Sequence, residues 1–409
     1  MRLILLSVSF PYGNAEQFLE TEIKYLAERF DEVVIIPALA KGKTRSVPDN
    51  VLVDDRFAQD NNIFKTIMSA LRTAYTYYEL VKEPRILLSI NKLQRLFSFM
   101  GRGYAEYNYL KKNYAHEELY YSYWFNGSSY ALYLLHMSEE AKYVFRAHGS
   151  DLYLEVNDGY LPFRREVVKE AERVFCVSQN GADYMKKNYA SALQTPIIVS
   201  RLGTSSLSPL FTRKDLQPDN QLHLVSCAHL SRVKRVDIIV SALKLLGDAN
   251  PSSQIFWTHI GGGDLFDDIK KMSYQLPKNI IVAFMGYMDN QSILEFYANN
   301  NFELFINSSE SEGIPVTFME AMSFTIPVMA PAVGGIAEIV NDENGFLLPK
   351  EINSTILYEA LQAVLKDKQV LADKSAKARE SWQEKYNAEK NYRDFSNSLK
   401  KIILESKTK

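Results

Sequence analysis

Twice along the chain, a series of short, continuous apolar runs alternates with longer amphipathic stretches. The first series lies at 3–8, 33–37, 119–123, 144–146, 174–177 and 197–200. The second lies at 222–227, 255–260, 280–284, 304–306, 328–330 and 345–348. Runs that are largely apolar along their length, not only at alternate positions, suit strands covered on both faces, as in a parallel sheet. Helical spacing of apolar residues falls between them, at 18–30, 236–246, 292–298, 316–323 and 355–365. This alternation predicts an α/β fold of two doubly wound domains. A length of 409 residues suits that number at about 150 residues per domain.

The boundary is read in the polar, turn-rich stretch 203–220, which contains Ser205-Ser-Leu-Ser-Pro209 and Gln217-Pro-Asp-Asn220. The expected domains are therefore 1–203 and 204–384, followed by a helix over 385–409. Tyr392, Phe395, Leu399, Ile402 and Ile403 form one apolar stripe on that helix, which needs a surface to cover. The expectation is that it crosses back to the N-terminal domain. The apolar start, 1–10, ends in Phe10-Pro-Tyr-Gly13 with no small-residue cleavage site, so it reads as a first strand and not as a signal peptide.

Composition narrows the function. Forty-seven basic against 49 acidic residues leave a net charge of −2, which gives no overall attraction to nucleic acid. Two cysteines, Cys176 and Cys227, each inside an apolar run, exclude a disulfide framework and a zinc ribbon. A reducing, cytoplasmic setting follows. No His/Cys/Asp spacing suggests a metal site, and none is expected. The segment 64–114 differs from the rest: nine basic against three acidic side chains, interleaved with aromatics such as Tyr75, Tyr77, Phe97 and Tyr107. Either these are solvated helix faces over aromatic core stripes, or they form a face for a membrane surface or a lipid phosphate.

The chemistry concentrates in Glu312-Gly-Ile-Pro-Val-Thr-Phe-Met-Glu320. A strand ends at Asn307, a polar loop carries Glu312 and Gly313, and Pro315 suits the first turn of a helix. The first N–H groups of that helix, around Val316 and Thr317, face the carboxyl end of the sheet and make an anion site. Gly334-Gly335 opens a second helix at the same edge. Two carboxylates beside an anion site make sense for a phosphate ester joined to polyols. The helix ends take the phosphates, and the carboxylates accept hydrogen bonds from sugar hydroxyls.

This element closely resembles the donor-binding signature of the family-4 glycosyltransferases, retaining enzymes of the GT-B fold. The resemblance implies two Rossmann-like, doubly wound domains facing across a deep cleft. Three further stretches match in order: Arg146-Ala-His-Gly-Ser-Asp-Leu-Tyr153, Leu230-Ser-Arg-Val-Lys234-Arg-Val-Asp237 and His259-Ile-Gly-Gly-Gly-Asp264. The opening, Phe10-Pro-Tyr-Gly-Asn-Ala-Glu-Gln-Phe-Leu-Glu-Thr-Glu22, is similar to members that build bacterial surface polysaccharides. The family implies a nucleotide-diphosphate sugar as donor and a glycan or polyprenyl-diphosphate-linked glycan as acceptor. It implies no cofactor, no metal and no nucleic acid. The expected setting is cytoplasmic, either free or peripheral at the inner face of the membrane, with 64–114 as the candidate contact by its basic and aromatic pattern.

By that resemblance His148, Lys234 and Glu312 are catalytic, Glu312 holding the donor sugar and Lys234 neutralising the diphosphate. Arg232 and Arg235 assist Lys234. Gly13 lets the backbone approach, and Gly313, Ile314, Pro315, Val316 and Thr317 contact sugar and diphosphate. Glu320 takes the ribose. Tyr287 either meets the base or simply packs, and Asp151 is read as fixing its own loop. His229 stands where the family has Arg, and Arg235 and Thr325 stand where it has Gly. A threonine suits position 325 only if the backbone there is not left-handed. A non-catalytic partner subunit and a nucleotide-sugar epimerase remain the alternatives on the same fold.

Overall fold

The computed structural model describes residues 1–189, 195–206 and 217–407. Of the predicted boundary stretch, residues 207–216 lie outside the described residues. The chain divides into two compact units, Met1–Leu202 with the chain from Ala388 onward, and Gly203–Asn387.

The first unit contains β1 (Arg2–Ser7), β2 (Glu32–Pro37), β3 (Val51–Val53), β4 (Leu119–Ser122), β5 (Tyr143–Ala147), β6 (Arg173–Cys176) and β7 (Ile197–Val199). They form one parallel sheet in the order β3-β2-β1-β4-β5-β6-β7. The second unit contains β8 (Gln221–Cys227), β9 (Gln254–Ile260), β10 (Ile280–Gly286), β11 (Leu304–Ile306), β12 (Val328–Pro331) and β13 (Gly345–Leu348). These also form one parallel sheet, in the order β10-β9-β8-β11-β12-β13. Both are α/β sheets of the Rossmann-like kind. All twelve apolar runs are strands. The strand that sequence reading missed, β3, is the three-residue run Val51-Leu-Val53 at the sheet edge, flanked by Asp49, Asn50, Asp54 and Asp55.

In each sheet the strand order reverses once, between β1 and β4 and between β8 and β11. Loops leaving the carboxyl ends of those strands border a crevice, the usual ligand position in open α/β sheets. In the first unit these are the loops after Ser7 and after Ser122. In the second they are the loops after Cys227 and after Ile306.

The helix Ala388–Lys407 belongs to the first unit. Its stripe is buried, with Phe395 packed edge-on against Tyr121 at 5.1 Å and Phe175 at 4.9 Å. Behind Phe395 lies a fully buried ion pair between Arg146 on β5 and Glu22 on the helix Gln17–Ala27. The guanidinium lies 4.0 Å from the Phe395 ring centroid, and Tyr121 donates its hydroxyl to Glu22 at 3.1 Å. Both cysteines are free thiols, and burial pushes each up to about 12.

Truncating Phe395 removes the ring that covers this pair. Phe395→Ala is expected to cost about 3–5 kcal/mol, read as a lowered urea midpoint for the transition of the first unit.

Candidate functional site

In the second unit, β8 ends in a loop that closes with a 3-10 turn, Arg232–Lys234. The loop after β11 carries Glu312 to the helix Val316–Ser323. Serines stitch the two together. Ser308 donates its hydroxyl to the carbonyls of Lys234 at 3.1 Å and Arg235 at 2.7 Å, and Glu310 N–H bonds the Val233 carbonyl at 2.8 Å. Lys234 Nζ thereby meets Glu312 Oε1 at 2.6 Å. Ser309 Oγ donates to the same oxygen at 2.6 Å and is itself held by Asn307, whose Oδ1 accepts Ser309 N–H at 2.9 Å. The Lys234 and Glu312 side chains remain 24% and 11% exposed, so a solute reaches both.

Glycine at 334 and 335 lets the loop after β12 press against this arrangement. A Cβ at Gly334 would lie 1.8 Å from the Glu312 carbonyl oxygen, and one at Gly335 2.7 Å from that of Gly313. Gly335 N–H is already bonded to the Gly313 carbonyl at 3.1 Å, and the helix it opens, Ile336–Ile339, has four residues. The expected second anion-binding helix end is therefore a packing contact. The first remains: among the described residues no side chain caps Val316–Ser323. The first-turn N–H groups, at Val316 and Thr317 after Gly313, Ile314 and Pro315, stay oriented for a ligand.

Glu320 lies on the buried side of that helix, 2% exposed, with Asn290 Nδ2 donating to its Oε1. Burial pushes its carboxyl up to about 7, and Asn290 only partly offsets this. Asn290 begins the helix Asn290–Asn299; it is part of the site that sequence reading missed, because an asparagine at a helix start looks like a cap. Tyr287 is 75% exposed after the left-handed Gly286. Arg232 is exposed, while Arg235 turns its guanidinium to Asp237 at 3.3 Å. His259 is buried against Ser226 Oγ at 2.8 Å, and burial lowers it to about 4, so it is neutral.

Both positions where the family has Gly are left-handed. Arg235 has φ 47° and Thr325 φ 62°, so the threonine occupies a left-handed position after all. A non-glycine residue there stores roughly 1–3 kcal/mol of strain.

The first unit holds Gly13 and His148. Gly13 is left-handed, φ 66°, and its N–H bonds the Lys43 carbonyl at 3.0 Å. The backbone amides at the end of β1 are occupied. Glu16 accepts the N–H groups of Val8, Ser9 and Phe10 at 2.9, 2.7 and 2.7 Å, and Trp124 Nε1 at 2.7 Å. This carboxylate cage lies inside the opening stretch noted from sequence, but only geometry shows what Glu16 binds.

The His148 ring lies tilted against Trp124 at 4.2 Å and against Tyr123 at 5.0 Å. Asp151 accepts His148 N–H at 2.7 Å and Phe125 N–H at 2.9 Å, so it does fix its own loop. Burial raises its carboxyl, but the His148 bond and charge outweigh burial and hold it below the ordinary value. Beside it opens a cavity of about 720 Å³ lined by Arg95, Arg102, Trp124, Asn126, Asp151 and Arg164 among others.

Residues 210–385 match the family described as glycosyl transferases group 1. A putative colanic acid biosynthesis glycosyltransferase from Escherichia coli K12 is 24% identical over 264 residues, 62% of this chain and 63% of the relative. The chain spans less than two thirds of the length of the curated relatives it matches first. Among solved structures, a sucrose-phosphate synthase from Thermosynechococcus elongatus is similar with TM-score 0.68 at 16% identity, over 99% of each chain. The Anabaena protein HepE in complex with UDP and glucose has TM-score 0.61 at 16% identity, over 98% of this chain and 100% of that one. These likenesses establish the GT-B fold.

A carboxyl raised from 4.5 to about 7 makes folding take up a proton between those values. That stabilisation is complete below 4.5 and is lost as pH rises through 7. The stability difference between wild type and Glu320→Gln, from urea unfolding, is expected to shift by about 3 kcal/mol against wild type across that window.

Proposed function

Residues 210–385 being a group 1 glycosyltransferase domain, we propose that this chain moves a sugar from a nucleotide-diphosphate donor to an acceptor hydroxyl with retention of configuration. The observation that carries the reading is the Lys234–Glu312 pair, 2.6 Å apart, beside the uncapped end of the helix Val316–Ser323. The ammonium and the helix N–H groups supply fixed positive charge for a diphosphate, which is why the reading needs no metal. Glu312 accepts from sugar hydroxyls and holds Lys234 in place. Glu320 and Asn290 form a buried polar pair suited to a ribose diol. Arg232 is the exposed second cation of the loop, while Arg235 is engaged by Asp237.

In the proposed reaction the bond from the anomeric carbon to the diphosphate oxygen breaks as the acceptor oxygen bonds that carbon on the same face. The acceptor's proton passes to the departing phosphate oxygen. Charge grows on that oxygen in the transition state, and a preorganised cation and helix end act there most strongly. The first unit contributes the acceptor site, in the cavity lined by Arg95, Arg102 and Arg164. His148, whose backbone is fixed by the Asp151 that lines this cavity, is its proposed contribution to the chemistry.

The relative named for colanic acid biosynthesis supports a surface-polysaccharide acceptor, free or lipid-linked. The neighbour solved with UDP and glucose supports a UDP-sugar as the first donor to try. Two free thiols suit a cytoplasmic enzyme.

Lys234→Ala is expected to lower turnover roughly 10²–10³-fold with the fold intact, measured as acceptor-dependent release of nucleoside diphosphate. Near-normal turnover would remove Lys234 from the mechanism. Thermal shift with UDP-, GDP-, dTDP- and CMP-sugars, on wild type and Glu320→Ala, identifies the donor. Release of free nucleoside diphosphate without any acceptor would favour a different reaction on the same site.

A further inference from the structure

A helix packed on a soluble domain ordinarily turns its apolar face inward. The helix Ile63–Arg72 does the reverse. Its buried residue is Ala70, and its Thr66 carbonyl lies so close to Gly101 that a Cβ there would sit 2.0 Å away. A small, polar face therefore makes the contact with the helix Ile90–Asn113. The large apolar side chains at i, i+4 and i+8, Ile63, Ile67 and Leu71, point to water together with Phe64; Ile63 is 80% exposed.

The same exposure continues along the chain. Val81 is 82% and Leu88 86% exposed, and Leu87 and Ile90 are exposed as well. Of the 21 exposed large hydrophobics among the described residues, ten fall between Ile63 and Ile90. Such a concentration marks an interaction surface, whereas scattered exposed leucines do not.

Charge selects the partner. Lys65, Arg72, Lys82 and Arg85 are exposed on the same stretch. Lys82 bonds Glu166 at 2.9 Å, and Lys65 bonds the Asp60 carbonyl at 2.6 Å. Among the described residues 63–90, the exposed acid is Glu83 alone, since Glu79 is buried. A second copy of this surface would bring like charges together. No helix among the described residues is long and apolar enough to cross a membrane. An apolar face flanked by basic side chains suits the interface plane of a bilayer.

We propose that the outward face of residues 63–90 docks on an anionic lipid bilayer, its aliphatic side chains entering the head-group boundary and its basic ones meeting lipid phosphates. The helix Ile90–Asn113 continues from this surface to the cavity, which Asn91, Arg95 and Arg102 line. Docking would hold that cavity near the bilayer.

Flotation on vesicles tests this with neither donor nor acceptor present, so its outcome is independent of the proposed activity. The full chain is expected to float with phosphatidylcholine–phosphatidylglycerol vesicles roughly tenfold more than with phosphatidylcholine alone, and to be released by high salt. Phe64→Asp with Leu88→Asp, and separately Arg72→Glu with Arg85→Glu, should each lose flotation while keeping the wild-type melting curve. Equal flotation on both vesicle types, or flotation unchanged in both variants, overturns the proposal. So does a dimer in sedimentation velocity that Phe64→Asp abolishes, because the surface would then belong to a second copy.

Discussion

Parallel pairing is the constraint on which everything else rests. In a parallel sheet every strand enters from the same end, so every loop that leaves a carboxyl end is delivered to one edge. In the second unit that edge receives the loops after β8 and β11, two neighbours in the sheet that lie far apart in sequence. Lys234 and Glu312 are separated by 78 residues and are brought to 2.6 Å. Neither residue has a local reason to meet the other; the strand order brings them together. The glycines at 334 and 335 then make room for the third loop, whose closest approach a Cβ would forbid.

The first unit uses burial differently. Removing Arg146 and Glu22 from water costs several kcal/mol per ion, and the pair survives because each group is compensated on several sides. Glu22 also accepts from Tyr121, and the guanidinium lies over Phe395 at 4.0 Å. The ring comes from the far end of the chain. The C-terminal helix thereby completes the polar interior of the N-terminal unit as well as its apolar core, and its stripe is specific: a shift by one residue would present Ser396 instead of Phe395 to the guanidinium.

The strands were legible because a strand covered on both faces is mostly apolar along its length, and the twelve predicted runs are mostly apolar, with polar exceptions such as Arg146 and His259. The helices 236–246 and 316–323 were legible for the complementary reason, an apolar stripe with a clear start. The strand that escaped, β3, is short and at an edge, and helices such as Ile90–Asn113 and Gly127–Glu139 were not read from the sequence either. At the site, residue types and order identified Glu312 and Glu320 as candidates and the family resemblance added Lys234, but their relations are three-dimensional. Nothing in the sequence shows that Ser309 and Lys234 share one Glu312 oxygen, or that Asn290 faces Glu320. Thr325 shows the opposite failure. A threonine is at ease there only without a left-handed backbone, and tertiary packing imposed one, φ 62°.

The two strand-order reversals are topologically alike, but their backbone amides are used differently. At the first, the amides that end β1 are already bonded to the Glu16 carboxylate, and Trp124 completes the set. An incoming anion would have to displace a carboxylate that makes three backbone bonds. At the second, the corresponding carboxylate, Glu312, is balanced by Lys234, and the following helix keeps its N-terminal amides uncapped. At the first crevice the β1 amides are therefore taken, and positive charge comes instead from Arg95, Arg102 and Arg164 around the cavity, which Val8 and Trp124 also line. The two units thus place their charges differently on the same kind of sheet, Glu16 against backbone amides in one and Lys234 against Glu312 in the other.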